Sequence, residues 1–203
     1  MNETTTRTVD PQQRESKRMA LLDAAARCFA EAGFIATRTA DICTAAGMSA
    51  GNLFHYFASK HEVLLALVAR EGEQIQQAMA PLAAAEDPMA ALLTFVDHTC
   101  ELACDRHYAG LALEISALGH RDEAVACLMK ANDRYLREGL EALIEAAGKA
   151  GQLHTRLTVP EAANWLATLI DGMFARVAAD ADFHPNQQIE VLRGLVTHLL
   201  QGH

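Results

Sequence analysis

The chain has 203 residues, 51% of them hydrophobic and 21% charged, the balance of a globular protein with a buried core rather than of a disordered one. It has no apolar run of the ~18–20 residues that a bilayer crossing requires. Residues 1–18 lack the apolar core of a secretory leader, and five cysteines, an odd count, fit no disulfide framework, so a cytoplasmic protein is expected.

Aromatic residues make up 5%, and with 12 glycines and 5 prolines the turn formers are sparse, which favours an all-α fold over a sandwich or barrel. The net charge of −9 is unevenly divided: residues 1–70 hold 8 Lys and Arg against 7 Asp and Glu, so the acidity lies in residues 71–203. Segments of such different charge suggest two tasks, with any contact to a polyanion assigned to the N-terminal third.

Residues 1–13 show no periodicity and read as a flexible tail, with Arg7, Arg14, Lys17 and Arg18 supplying positive charge in or beside it. Over 14–32, Met19, Leu22, Ala26 and Phe29 recur at helical spacing, and Gly33 stops the run as a glycine just past a helix end does. A short helix is expected over 39–46, then a tight turn at Ala46-Gly47-Met48, then a two-turn helix over 50–56 with Ser49 placed to cap it. Two short helices joined by a glycine turn form a helix-turn-helix pattern. Ser59-Lys60-His61-Glu62 reads as a capping box opening a helix to about residue 80, where Pro81 ends it.

Asp87-Pro88 opens the next helix, with Met89, Leu92, Val96, Cys100 and Ala103 as its stripe. A short apolar segment over 108–118 follows, then a long helix from Asp122 to the glycines at 148–151. Thr158 and Glu161 form a second capping box before a helix that is apolar around more than half its circumference, and a last helix spans about 186–201. The reading is about nine helices: a tail (1–13), a helix-turn-helix domain (14–60), a connecting helix (61–80) and a helical domain (81–203). Because the penultimate helix needs apolar partners on two sides, residues 160–179 and 186–201 are expected to pair with a second copy in a four-helix interface.

Ile42, Ala46, Leu53 and Phe57 would lock the two short helices together, with Phe54 also assigned to the core. Ser49, Ala50, Gly51, Asn52 and His55 would then face outward, where a recognition helix enters the major groove. Tyr56 and Lys60, just beyond, are placed to meet phosphates, so that Lys60→Ala should weaken specific and random DNA binding equally, with a shallower salt dependence.

The stretch from Thr39 to Lys60, with its Ala46-Gly47-Met48-Ser49 turn, the run Phe54-His55-Tyr56-Phe57 and the pair Ser59-Lys60, resembles the helix-turn-helix of TetR-type transcriptional regulators. The likeness extends over about residues 14–68. It implies base readers at Ala40, Ser49, Ala50, Gly51, Asn52 and His55, phosphate clamps at Thr39, Tyr56 and Lys60, and Arg38 beside them. Phe54 stands where the family often has tyrosine, and Ala50 and Gly51 offer few donors, so specificity would lean on DNA shape, Asn52, His55 and the basic arm.

The resemblance also implies a homodimer on a palindromic operator, usually a repressor, released by a small molecule in the acidic helical domain. Candidate lining residues are Phe95, His98, Glu101, Glu114, Met129, Trp165 and Met173, with Glu114 as the buried acid. No cofactor is implied. Two alternatives remain at this point: a metal- or redox-responsive regulator using Cys100, Cys104 and His107, which fall at i, i+4 and i+7 and so on one face of a helix, or a helical dimeric binding protein without DNA affinity. An enzyme has no support, because no phosphate loop, nucleophile elbow or zinc-protease motif is found.

Overall fold

A computed structural model describes residues 11–202; most of the tail, Arg7 included, lies outside them. Among these residues the fold is all-α: α1 (Pro11–Ala36), α2 (Thr39–Ala45), α3 (Lys60–Met79), α4 (Pro88–Cys104), α5 (Arg106–Gly119), α6 (Glu123–Lys149), α7 (Val159–Ala179) and α8 (Ile189–Gln201). Three single 3-10 turns, Asn52–His55, Leu82–Ala84 and Pro185–Gln187, complete it.

Most helix starts are decided by one side chain. Asp87, Asp105 and Asp122 each accept backbone N–H bonds from the first turn that follows them. Thr158 and Glu161 form the reciprocal box, whereas at Ser59 only half of it forms: the Ser59 hydroxyl accepts from Glu62 N at 3.1 Å. Asp105 also corrects the sequence reading. It adopts an extended conformation (φ −78°, ψ 107°), ends α4 at Cys104 and caps α5, so α4 does not continue through His107.

Two apolar clusters result. One is built from α3, α4, α6, α7 and α8 around Leu92, Phe95, Leu140, Ile144, Leu166 and Leu200. The other gathers Leu21, Leu22, Phe29, Ile42, Leu53 and Val63 with Ile115 of α5 and Val125 of α6. The N-terminal head therefore does not end where its own helices end, since α5 and the start of α6 complete its core.

The 20-residue α3 bridges both clusters. It lies against α6 at Gly72, where Asn132 Nδ2, buried, donates to Val68 O at 2.8 Å. At its N-terminal end His61 Nε2 lies 2.6 Å from Asp122 Oδ2. Backbone N–H bonds, chiefly from Val125, together with His61 hold the Asp122 carboxyl below the usual carboxylate range.

Candidate DNA-binding site and effector region

The head is assembled around two glycines. At Gly33 the backbone takes φ 77°, ψ 160°, a combination open essentially to glycine alone, and it breaks α1 one turn before its end. At Gly47 (φ 67°) the chain leaves α2 through a Schellman turn: Gly47 N donates to Thr44 O at 3.0 Å and Met48 N to Cys43 O at 2.8 Å.

The recognition segment that follows is not the two-turn α-helix the periodicity suggests. It is a single 3-10 turn, Asn52–His55, begun by the Ser49 carbonyl accepting from Asn52 N at 2.9 Å; the Ser49 side chain makes no cap. The reason is length. Between the Gly47 turn and the Ser59 cap there is no room to propagate a helix past its nucleus, and one tight turn brings Leu53 and Phe57 inward. Leu53 is fully buried against Ile42 and Cys43 of α2 and so seats the turn.

Around it Arg38, Ala40, Ser49, Ala50, Gly51 and His55 are exposed, and Thr39, Asn52 and Tyr56 are half-buried. Phe54 joins the exposed set. It is 58% accessible, and its assignment to the core is corrected: in a 3-10 turn it points a third of a turn from Leu53, away from the cluster. Arg38 lies along Asp41, its Nε and Nη2 each 3.2 Å from a carboxylate oxygen. Arg18 stacks over the Phe57 ring at 5.5 Å, which leaves Arg14 and Lys17 as the exposed cations of the arm among the described residues.

Lys60 is employed differently from the sequence reading. Its Nζ donates to Phe34 O at 2.5 Å, Thr37 O at 2.6 Å and Ile35 O at 3.3 Å, and lies 4.4 Å from the Phe34 ring centre. All three ammonium protons are matched, and burial pushes its pKa below the ordinary lysine value. Lys60 closes the carbonyl end of α1 and, in this arrangement, does not extend toward a phosphate.

The candidate effector residues are scattered. Phe95 and Met173 are buried in the body cluster, Met129 packs on the head cluster, and His98 and Glu101 are at the surface. Trp165 is 55% exposed. Glu114 is half-buried but committed to the head, accepting from Phe34 N at 2.5 Å. The structure brings other residues together instead. A cleft of about 320 Å³ opens between α1, α3 and α5, with Arg27, Arg70, Glu71, Gln74 and Tyr108 among its lining. Burial first, and Asp171 second, raise the Glu71 pKa; burial first, and Asp133 second, raise that of Asp171. Burial and then Glu71 push the Tyr108 phenol up, and the Tyr108 ring lies 5.8 Å from that of Phe174.

No sequence signal marks Glu71, because one acid on a long amphipathic helix looks like any solvated one. Its folded pKa lies above its unfolded value, so its contribution to stability is full below the unfolded pKa and is lost as pH rises through the folded one. Glu71→Gln is therefore expected to raise the Tm at pH 7. The gain should shrink toward zero as pH falls below ~4.3, where the wild-type carboxyl is protonated in both states, as melts across that range would show.

The cysteine alternative loses its geometry. Cys100 is buried, with its thiol pushed up to about 11 by desolvation, while His107 belongs to α5 and lies 3.0 Å from Glu31 Oε1. Among the described residues no three His, Cys, Asp or Glu side chains are grouped to hold a metal ion, and no helix is long and apolar enough to cross a membrane.

An exposed, glycine-hinged reading turn on a small helical head, joined by one long helix to a larger helical body, defines a DNA-binding transcriptional regulator of the helix-turn-helix kind. The chain belongs to the TetR family of bacterial regulatory proteins: residues 21–67 match that family, and residues 88–201 match the C-terminal domain of BetI-type transcriptional repressors. Among its relatives, the transcriptional regulator UidR of Escherichia coli K12 is 27% identical over 179 residues, 85% of this chain and 88% of UidR. The solved GusR of Salmonella enterica superposes with a TM-score of 0.73 at 27% identity, over 96% of this chain and 99% of GusR. FadR of Bacillus subtilis, solved with stearoyl-CoA, superposes with a TM-score of 0.71 at 20% identity, over 90% and 99% of the two chains.

Proposed function

We propose that the protein is a homodimeric repressor whose two reading turns enter successive major grooves of a palindromic operator and are withdrawn when a small molecule binds the body. The observation that carries this reading is the turn 49–55, exposed on a fully buried Leu53. Ser49, Ala50 and Gly51 let the backbone approach the duplex, Asn52 and His55 supply donors and acceptors to base edges, and Phe54 offers an apolar contact for a thymine methyl. Arg38, Thr39, Ala40 and Tyr56 flank the turn at the level of the phosphates.

The dimer reading draws on α7 and α8, where Trp165, Val191 and Leu195 are 55%, 59% and 50% exposed and nothing stands within 4 Å of a side chain built on Gly172 or Gly194. An apolar face with gaps of that kind suits a second copy of itself. For the effector, the cleft between α1, α3 and α5, with Arg27, Arg70, Glu71, Gln74 and Tyr108 in its lining, replaces the residues first considered.

The test begins with duplexes selected by the full chain from a random pool. Asn52→Ala should weaken the selected site by about 1–3 kcal/mol and leave random DNA unaffected. Failure to enrich any sequence at low salt, or a monomer by sedimentation at micromolar concentration, would remove the reading.

A further inference from the structure

The chain turns from α1 into α2 through a corner, residues 33–37, held from two sides. The break at Gly33 leaves the Phe34 N–H without a helical carbonyl, and Glu114 of α5, 80 residues away, supplies the acceptor at 2.5 Å. The Phe34 carbonyl, with those of Ile35 and Thr37, goes to Lys60 at the start of α3. Phe34 is thus gripped at its N–H by α5, which also packs on α7, and at its C=O by the connecting helix.

Gly110, one turn before Glu114 on the same face of α5, lies against Ala30 of α1, which a Cβ there would meet at 3.4 Å. The corner leads straight into Arg38 and α2, whose Ile42 and Cys43 seat Leu53. At its other end α5 carries Tyr108, packed on Phe174 of α7. One helix therefore touches both the proposed effector region and the peptide from which the reading head hangs.

We propose that Glu114 is a positioning residue: through its bond to Phe34 N, α5 fixes the orientation of the DNA-binding head relative to the body. A displacement of Tyr108 is thereby passed to the reading turn. This rests on the two-headed reading above, because orientation matters only if two heads must match the distance between grooves.

The test uses the full chain and duplexes carrying two copies of the selected half-site, with their separation stepped one base pair at a time. Wild type is expected to favour one separation over its neighbours by about tenfold. Glu114→Ala, which removes the acceptor, and Glu114→Asp, which keeps the charge but shortens the reach, should flatten that preference to about threefold or less. Glu114→Gln, which keeps an acceptor at the same reach, should retain it. Affinity for random DNA should be the same for all four proteins, a result that general loosening of the fold would not give.

A flat profile in wild type overturns the two-headed reading itself. A sharp wild-type profile that Glu114→Ala and Glu114→Asp both keep overturns the role of Glu114. Equal flattening by Glu114→Gln and Glu114→Ala overturns the hydrogen bond as its means.

Discussion

Lys60→Met is expected to lower the unfolding free energy by about 3 kcal/mol and the Tm by roughly 6–12 °C, a large effect for one residue of moderate exposure. Methionine preserves much of the side chain's length and apolar contact, so the loss isolates the ammonium. Three carbonyls at 2.5, 2.6 and 3.3 Å lose a charged donor at once. Hydrogen bonds to charged groups contribute about 1.5–3 kcal/mol each, and three that share one ammonium add to less than their sum.

Operator binding should fall as well, because the corner that leads into α2 loses its seat. The slope of log Kd against log salt is expected to stay as in wild type, since no phosphate contact has gone. Titrations at four or five salt concentrations decide the matter: a slope shallower by about one unit would return Lys60 to the phosphate contacts that its position in the motif suggests. Lys60→Arg should recover little, because a planar guanidinium does not fit three carbonyls converging on a point.

Gly72→Ala is expected to destabilise the protein by about 2–4 kcal/mol, opposite in sign to the gain of up to ~1 kcal/mol that alanine usually brings to a helix interior. An added Cβ at position 72 would overlap Asn132 Oδ1, and the displaced amide would lose its 2.8 Å bond to Val68 O inside the seam between α3 and α6. Overpacking and an unsatisfied buried amide each contribute on the order of 1–3 kcal/mol. Urea unfolding measures the loss. The pair Gly72→Ala with Asn132→Ala should restore part of it, because the second substitution removes the group that the first one strikes. Stability equal to wild type in Gly72→Ala alone would show that the seam yields more easily than its packing implies.

Local chemistry accounts for what was readable beforehand. Aspartate, serine and threonine starts satisfy the orphan N–H groups of the turn that follows them, and glycine ends permit backbone that other residues avoid, so the starts at Asp87, Asp122 and Thr158 and the stops at Gly33 and Gly47 appear in the sequence itself. The order of residues from Thr39 to Lys60 likewise carries the reading motif, because its glycine turn and the spacing of Leu53 and Phe57 act within a few residues of one another.

Helical periodicity alone misplaces residues where the chain stops or tightens sooner than the apolar stripe implies. Asp105 looks like an ordinary polar residue within an apolar stripe until the chain folds back there. Phe54 looks like core because it is aromatic, yet a turn too short to be α-helical turns it outward. Helical periodicity cannot register either effect.

By itself, then, the sequence determined an all-α chain with a small reading head, and the starts of α2, α3, α4, α6 and α7, since these follow from side chains acting on adjacent backbone. Only the tertiary structure decided where the charged groups are used. Glu114 leaves the supposed ligand pocket for Phe34 N, 80 residues away, and Lys60 turns inward to three carbonyls. A charge is committed by whichever partner folding brings within about 3 Å, and no pattern of neighbours along the chain encodes that distance.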